Sequence, residues 1–123
     1  MTFAFWMILA AGILPYLAVG YAKYDKSFDN HQPRKWLDKQ KGAKQRAFWA
    51  HQNSFEIFPL FAAAVIIAHV AEAPQTQIDM LAGAFIISRI AYIFAYVMDR
   101  ATLRSIVWAL GLGCIVGLFS IST

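Results

Sequence analysis

Two ionisable residues, Glu56 and Arg89, lie in stretches of the sequence that are otherwise strongly apolar. An ionised side chain within hydrocarbon costs about 2.5 kcal/mol or more, so its presence there requires a partner or a function. Asn53 precedes Glu56 by three positions and Tyr92 follows Arg89 by three, so each pair shares one face of a helix. Hydrogen-bond donors beside one carboxylate suit a small, zwitterionic ligand. The alternative is that Glu56 and Arg89 only clasp two helices together.

The composition indicates that membrane-spanning helices position these residues. Hydrophobic residues make up 59% and charged residues 15% of the 123 residues, against about 45–50% and about 25% in soluble domains. A soluble globule and a disordered chain are therefore disfavoured. Since one crossing takes about 20 apolar residues, we predict an all-α membrane protein, a single domain over 1–123 with a bundle of four transmembrane helices at about 2–22, 47–71, 80–98 and 105–121.

The basic residues predict the orientation of the bundle. Of the eleven Lys and Arg residues, all except Arg89 lie in the loop 23–46 or in 99–104. By the positive-inside rule these two loops face the cytoplasm and both termini face the opposite side, in the inner membrane if the source is bacterial. We expect the net charge of +4 to serve this orientation and contact with anionic membrane lipids, and we expect no nucleic-acid partner.

Helix geometry places the polar residues at matched depths. Glu56 and Arg89 each lie nine positions from the cytoplasmic end of their span, which is about 14 Å at 1.5 Å per residue. Asn53 and Tyr92 lie at about 9 Å by the same rule. Tyr96 shares the face of Arg89 and Tyr92, although it also fits an interfacial aromatic belt. We therefore expect a polar pocket that opens to the cytoplasm, with the two opposite charges at one level.

No metal site is predicted. The single cysteine, Cys114, cannot form an internal disulfide, and no Cys/His cluster has the spacing of a zinc site. Cys114 lies in an apolar span, where it is expected to pack as a small hydrophobic residue.

Two motifs occupy the polar ends of the last three spans. They are Arg46-x-x-x-Ala50-His51-x-Asn53-x-x-Glu56-x-x-Pro59, and Arg89-x-x-Tyr92-x-x-x-Tyr96 followed by Arg104-Ser105. In residue type and spacing they resemble the motifs of the MAPEG family, the membrane-associated proteins in eicosanoid and glutathione metabolism. That family includes microsomal glutathione transferases, leukotriene C synthase and microsomal prostaglandin E synthase. The resemblance extends to chain length, helix count and loop pattern.

The resemblance implies a homotrimer that binds glutathione, as co-substrate, between neighbouring subunits on the cytoplasmic side. It implies that Arg104 stabilises the thiolate and that Ser105 donates a further hydrogen bond. Arg100 is a rival for the position beside the sulfur, because the segment from Tyr96 to Arg104 is about one residue shorter than the family pattern. The candidate glutathione-binding residues are Asn53, Glu56, Arg89, Tyr92, Tyr96, Arg46, His51 and Lys23.

One residue departs from the family pattern. Trp49 stands where the enzymes usually carry a second arginine, which pairs with a glutathione carboxylate. An indole offers one neutral donor and cannot replace a bidentate, charge-assisted contact. Lys23, Arg46 and Arg100 are the candidates for supplying the missing charge.

Three glycines, Gly111, Gly113 and Gly117, give the fourth span a small-residue face. Such faces allow helices to approach closely in a membrane. We expect them to form a helix contact inside the trimer.

The resulting hypothesis is a glutathione-dependent transferase or peroxidase that acts on a lipophilic small-molecule substrate arriving from the bilayer. Two alternatives are a non-catalytic relative that binds lipid or glutathione, favoured by Trp49, and a small transporter or structural bundle without a glutathione site.

Overall fold

The chain forms helices and no strands. A computed structural model describes residues 1–123, with α1 at Phe3–Lys23, α2 at Pro33–Asp38, α3 at Ala43–Val70, α4 at Gln75–Val97 and α5 at Ala101–Ser120. Helices α1, α3, α4 and α5 are each long and apolar enough to cross a membrane. The prediction of an all-α chain with four candidate spans is therefore confirmed.

Three of these helices begin before the predicted spans. Helix α3 begins at Ala43 where the predicted span begins at 47, α4 at Gln75 where it begins at 80, and α5 at Ala101 where it begins at 105. Hydropathy marks the part of a helix that lies in hydrocarbon, whereas the helix itself continues into the polar interface while its backbone hydrogen bonds are made. Arg104 consequently lies in the first turn of α5 and not in the preceding loop.

The basic loop contains a short helix that the sequence analysis missed. Helix α2 starts at Pro33, whose fixed φ and missing N–H suit the first helical position. Leu37 is buried in a small cluster with Val19 and Phe48. Because α2 has only six residues, it is too short for a helical period to emerge from the sequence.

An ion pair holds the loop against the start of α3. Lys44 Nζ lies 2.6 Å from Asp25 Oδ2 and donates to the Tyr24 carbonyl at 3.1 Å. The Ser27 N–H and hydroxyl donate to Asp25 Oδ1. The hydrogen bond from Lys44, followed by those from Ser27, holds the pKa of the Asp25 carboxyl well below its usual range. Their contribution to stability is present above the unfolded-state pKa of about 4 and is lost as the pH falls through the lower folded-state value.

Helices α3 and α4 form the centre of the bundle. Helix α1 packs against both, α5 packs against α4 and more lightly against α3, and α1 and α5 have no substantial contact. Phe61 and Phe85 stack between α3 and α4 with ring centroids 4.0 Å apart. The fully buried Ala64, Ala68 and Ala82 surround this stack. Small residues beside one aromatic pair allow the two backbones to approach closely.

The N-terminal end of α1 is bound by side chains at the C-terminal end of α3 and the N-terminal end of α4. Thr2 caps α1 by accepting from the Phe5 N–H, and its hydroxyl lies 2.8 Å from His69 Nε2. The Ala4 N–H donates to Asp79 Oδ1 at 3.0 Å. These contacts satisfy free N–H groups of the first turn and place a carboxylate near the positive end of the helix dipole.

The close contacts of the α5 glycines are made to α4 of the same chain. A Cβ built on Gly111 would lie 2.8 Å from Ser88 Oγ, and one built on Gly117 would lie 3.1 Å from Leu81 Cδ2, both on α4. Nothing lies within 4 Å of a Cβ built on Gly113. The expected small-residue contact therefore joins α5 to α4 at two of the three glycines.

Gly111→Ala is expected to lower Tm relative to Gly113→Ala. The added methyl meets Ser88, whose hydroxyl is fixed by a 2.6 Å hydrogen bond to the Phe85 carbonyl, and overpacking of this kind costs about 1–3 kcal/mol. At Gly113 the methyl meets open space, while alanine is favoured over glycine in a helix by about 1 kcal/mol. Thermal unfolding in detergent measures the difference. Equal Tm values for the two variants would show that the α4–α5 approach does not depend on Gly111.

Candidate functional site

Arg89 is a buried charge at the centre of the predicted site. It lies on α4 with only 3% of its surface exposed. Its Nη2 donates to Asn53 Oδ1 at 2.8 Å and to Ser54 Oγ at 3.3 Å. Its guanidinium carbon lies 4.2 Å from the centroid of the Tyr92 ring, a distance at which the ring face attracts a cation. Arg89 thus joins α4 to two consecutive residues of α3.

The two opposite charges do not pair directly, so they do not form the helix clasp that was the alternative to a ligand site. Glu56 is exposed and forms no ion pair with Arg89; its Oε2 accepts instead from Asn53 Nδ2 at 3.4 Å. Residues two positions apart lie about 200° apart around a helix, so Glu56 points away from the bundle when Ser54 points into it. Arg89 and Glu56 are therefore connected through the amide of Asn53. Sequence position gave a depth for each charge but not its direction around the helix.

One fully buried nitrogen of Arg89 has no hydrogen-bond partner. Nη1 is buried and makes no hydrogen bond. A cavity of about 10 Å³ lies beside Ser54 and Arg89, among apolar residues of α1, α3 and α4. A buried donor without an acceptor is costly, so the contacts of Nη2 carry most of the compensation for this charge.

Four of the predicted residues border one open groove, here called the α3–α4 groove. Its volume is about 450 Å³, and it is lined by Trp49, Gln52, Asn53, Glu56, Tyr92 and Tyr96. Arg104 stands beside it, since its guanidinium carbon lies 4.6 Å from the centroid of the Tyr96 ring. The groove therefore combines amide donors, a carboxylate and two phenols, with a cation next to them.

Two predicted residues lie on a different face, in a groove between α1, α2 and α3 that we call the α1–α3 groove. Lys23 and His51 border this space of about 760 Å³, together with Arg34, Gln52 and Glu56. His51 Nδ1 lies 2.8 Å from the Pro15 carbonyl. Lys23 Nζ lies 5.3 Å from the centroid of the Phe28 ring. Gln52 and Glu56 border both grooves, so α3 separates the predicted residues into two sets that meet along its exposed edge.

Besides Arg89, which is buried, and Arg104, which stands beside the α3–α4 groove, three predicted residues line neither groove. Arg46 donates from Nε and Nη2 to the Val97 carbonyl, at 3.2 and 2.9 Å, and so caps the carboxyl end of α4. Arg100 precedes α5 as its N-cap residue and makes no side-chain hydrogen bond there. Ser105 is exposed on α5. The cationic head of Arg46 thus has a structural partner, whereas the side chains of the other two remain free.

Ser54 is the polar residue that the sequence analysis missed. It is 4% exposed, and its Oγ accepts from Arg89 Nη2, as Asn53 Oδ1 does. The sequence does contain a pattern that predicts burial of Ser54. The inward face of α3 follows the 3.6-residue helical period through Ala50, Ser54, Ile57 and Phe61. A small polar residue on an otherwise apolar face indicates a buried partner.

No three His, Cys, Asp or Glu side chains come together as a potential metal site. Cys114 is a free, partly buried thiol in α5. The polar and aromatic groups that border the two grooves are amides, carboxylates, phenols, an indole, an imidazole and cations.

Comparison with known families agrees with this geometry. The MAPEG family model matches residues 3–123, which is nearly the whole chain. A comparison with curated proteins gave no match. Together with four helices of membrane-spanning length and composition, the match establishes that this chain belongs to the MAPEG family of integral, multi-pass membrane proteins of eicosanoid and glutathione metabolism.

Proposed function

We propose that this protein is a glutathione-dependent membrane transferase or peroxidase that acts on lipophilic electrophiles. The observation that carries the proposal is the α3–α4 groove, where Asn53 and Glu56 lie opposite Tyr92 and Tyr96, with Arg104 stacked on Tyr96. Glutathione has an ammonium group for the carboxylate, peptide groups for the amide, and a thiol that a guanidinium can activate.

The second N–H of Asn53 Nδ2, which Glu56 does not accept, and the carboxylate of Glu56 would hold the peptide backbone and amino end of glutathione. Arg104 would stand beside the sulfur. A thiol of pKa about 8.5 is mostly protonated at neutral pH, and a nearby guanidinium favours the nucleophilic thiolate. Ser105 follows Arg104 and would donate a further hydrogen bond to sulfur.

Both reactions start when the thiol releases its proton to water. In transfer, the sulfur electron pair forms a bond to the electrophilic carbon, and the leaving group departs with its bonding pair. In peroxide reduction, sulfur takes the terminal oxygen, the O–O bond breaks, and an alcohol leaves after protonation. A second glutathione then reduces the sulfenic acid, giving glutathione disulfide and water.

We propose that the active protein is a homotrimer with each site between two protomers. Two open grooves on either side of one edge of α3 support this arrangement, because neither groove alone contains all the predicted residues. Lys23, His51 and Arg34 of one protomer would then face the α3–α4 groove of the next. This supplies cations for the glutathione carboxylates that Trp49 cannot bind. By the positive-inside rule, these grooves lie at the cytoplasmic end and the termini on the opposite side.

A second candidate is a non-catalytic relative that binds lipid. Trp49 favours it, as does an apolar groove of about 600 Å³ between α1 and α4, lined by nine hydrophobic residues. The acyl chain of a membrane lipid can pack against such a surface through van der Waals contacts. This candidate retains lipid tightly and does not turn over an aryl halide with glutathione.

The thiolate provides the first test. Purified protein mixed with glutathione near neutral pH is expected to show the ultraviolet absorbance of a thiolate, and Arg104→Ala is expected to abolish it. Arg100→Ala is the matched control, since both arginines lie at the start of α5, and it should retain the signal. The opposite result for the two variants would assign the thiolate to Arg100. Absence of a signal in the unmodified protein would refute the mechanism.

The carboxylate provides the second test. Glutathione is expected to raise Tm of the unmodified protein, and Glu56→Gln should weaken binding about tenfold because a charge-assisted hydrogen bond becomes neutral. Glu72→Gln, in the loop between α3 and α4, removes the same charge far from the groove and should leave the protection intact. Unchanged protection in Glu56→Gln would remove the α3–α4 groove from the glutathione site.

Trp49→Arg separates the two candidates. The new guanidinium borders the groove and offers a bidentate contact to a carboxylate, so glutathione affinity is expected to rise about tenfold or more. Trp49→Phe controls for loss of the indole. Calorimetric titration gives the affinity, and mass spectrometry gives the retained lipid. If only Trp49→Arg binds glutathione, and the unmodified protein retains lipid, the non-catalytic candidate is favoured.

A further inference from the structure

Ser54 makes two hydrogen bonds at once, because its buried hydroxyl donates one and accepts the other. Its Oγ–H donates to the Ala50 carbonyl at 2.8 Å, one turn earlier in α3. That bond uses its hydrogen, so the oxygen is left to accept from Arg89 Nη2 at 3.3 Å. With 4% of its surface exposed, Ser54 has no access to ligand or solvent, and its effect on the groove must pass through Arg89.

We propose that Ser54 is a positioning residue that, through Arg89, sets which end of the Asn53 amide faces the α3–α4 groove. The proposal rests on the proposed function and adds to it a residue that touches neither glutathione nor the electrophile. Its basis is the continuous chain of contacts from Ser54 to Arg89, from Arg89 to Asn53, and from Asn53 to Glu56.

The two hydrogens of Nη2 fix the orientation of the guanidinium. One is directed to Ser54 Oγ and the other to Asn53 Oδ1, at 3.3 and 2.8 Å. The Tyr92 ring faces the same group, and Nη1 has no acceptor. When Ser54 loses its oxygen, one of only two acceptors for a buried cation disappears, and the guanidinium is free to turn away from Asn53.

The orientation of Arg89 determines that of Asn53. Because Oδ1 accepts from Arg89, the Nδ2 group must face Glu56, 3.4 Å away. A flipped amide would place donor against donor at Arg89 and oxygen against carboxylate at Glu56, and both contacts are repulsive. The groove therefore presents an N–H donor beside a carboxylate. This pair matches a ligand whose carbonyl lies next to an ammonium group, and it discriminates against an analogue that lacks the ammonium.

Two pairs of variants isolate the hydroxyl. Thr and Val have the same shape, so Ser54→Thr and Ser54→Val share any cost of the extra methyl and differ only in Oγ. Ser88 is the matched control for truncation, since it is also buried, at 7% exposure, and donates to the Phe85 carbonyl, but its hydroxyl accepts no hydrogen bond from the Arg89 guanidinium. Ser54→Ala and Ser88→Ala therefore each lose one intrahelical hydrogen bond, and only the first loses the hydrogen bond from Arg89.

Ser54→Ala and Ser54→Val are expected to weaken glutathione binding about fivefold, the equivalent of about 1 kcal/mol for one hydrogen bond. They should also reduce the preference for glutathione over its desamino analogue, and raise KM for glutathione without raising that for the electrophile. Ser54→Thr and Ser88→Ala should keep the affinity and the preference. Calorimetry with both ligands and steady-state kinetics measure these effects. The proposal is overturned when Ser54→Val retains the preference, or when Ser88→Ala loses it equally.

A double-mutant cycle decides the positioning role without glutathione. The effects of Ser54→Val and Asn53→Ala on Tm should be non-additive, because both act on Arg89, whereas those of Ser88→Ala and Asn53→Ala should add. Additive effects in the first cycle would refute the proposed chain. Failure of the unmodified protein to bind glutathione, with a non-additive first cycle, would refute the proposed function and leave the positioning of Asn53 by Ser54 supported.

Discussion

The burial of Arg89 is the constraint on which the arrangement of α3 and α4 depends. A charge inside an apolar bundle must find partners there, and Arg89 obtains them from Asn53 and Ser54 on one neighbouring helix. Apolar side chains alone allow many relative positions of two membrane helices, because lipid contacts them as well as a helix does. The hydrogen bonds of Arg89 select one position, and Asn53 then emerges at the edge of the groove.

The polar residues of the site divide into a buried group and an exposed group. Glu56, Gln52 and Trp49 lie on the outward side of α3, where they are accessible, while Arg89 stays inside. The buried part of the network sets geometry, and the exposed part is free for binding. Such a division is typical of sites whose binding groups are oriented by residues behind them.

Sequence reasoning predicted the parts of this structure that depend on composition and spacing. The apolar stretches identified the four spans, and the two motifs led to the family.

The direction of a side chain around its helix was harder to predict. The expectation that Glu56 and Arg89 lie at one depth used only their positions along the helices. It did not include the direction of each side chain around its helix, and Ser54 and Glu56 point in nearly opposite directions. The helix ends were also predicted wrongly from hydropathy, because Lys44 and Gln75 are helical but too polar to be counted in an apolar span. The role of Arg46 as a cap of α4 depends on where that helix stops, which hydropathy does not show.

The close approach of α5 to α4 at Gly111 also affects the other end of α5. A straight helix is stiff, and Arg104 lies seven positions, about 10 Å, before Gly111. Any side chain at position 111 would push against Ser88 and act as a pivot, tilting the start of α5 relative to Tyr96. The absence of a side chain at this glycine thus aligns the helix, because packing between α4 and α5 sets where the Arg104 guanidinium stands at the start of α5.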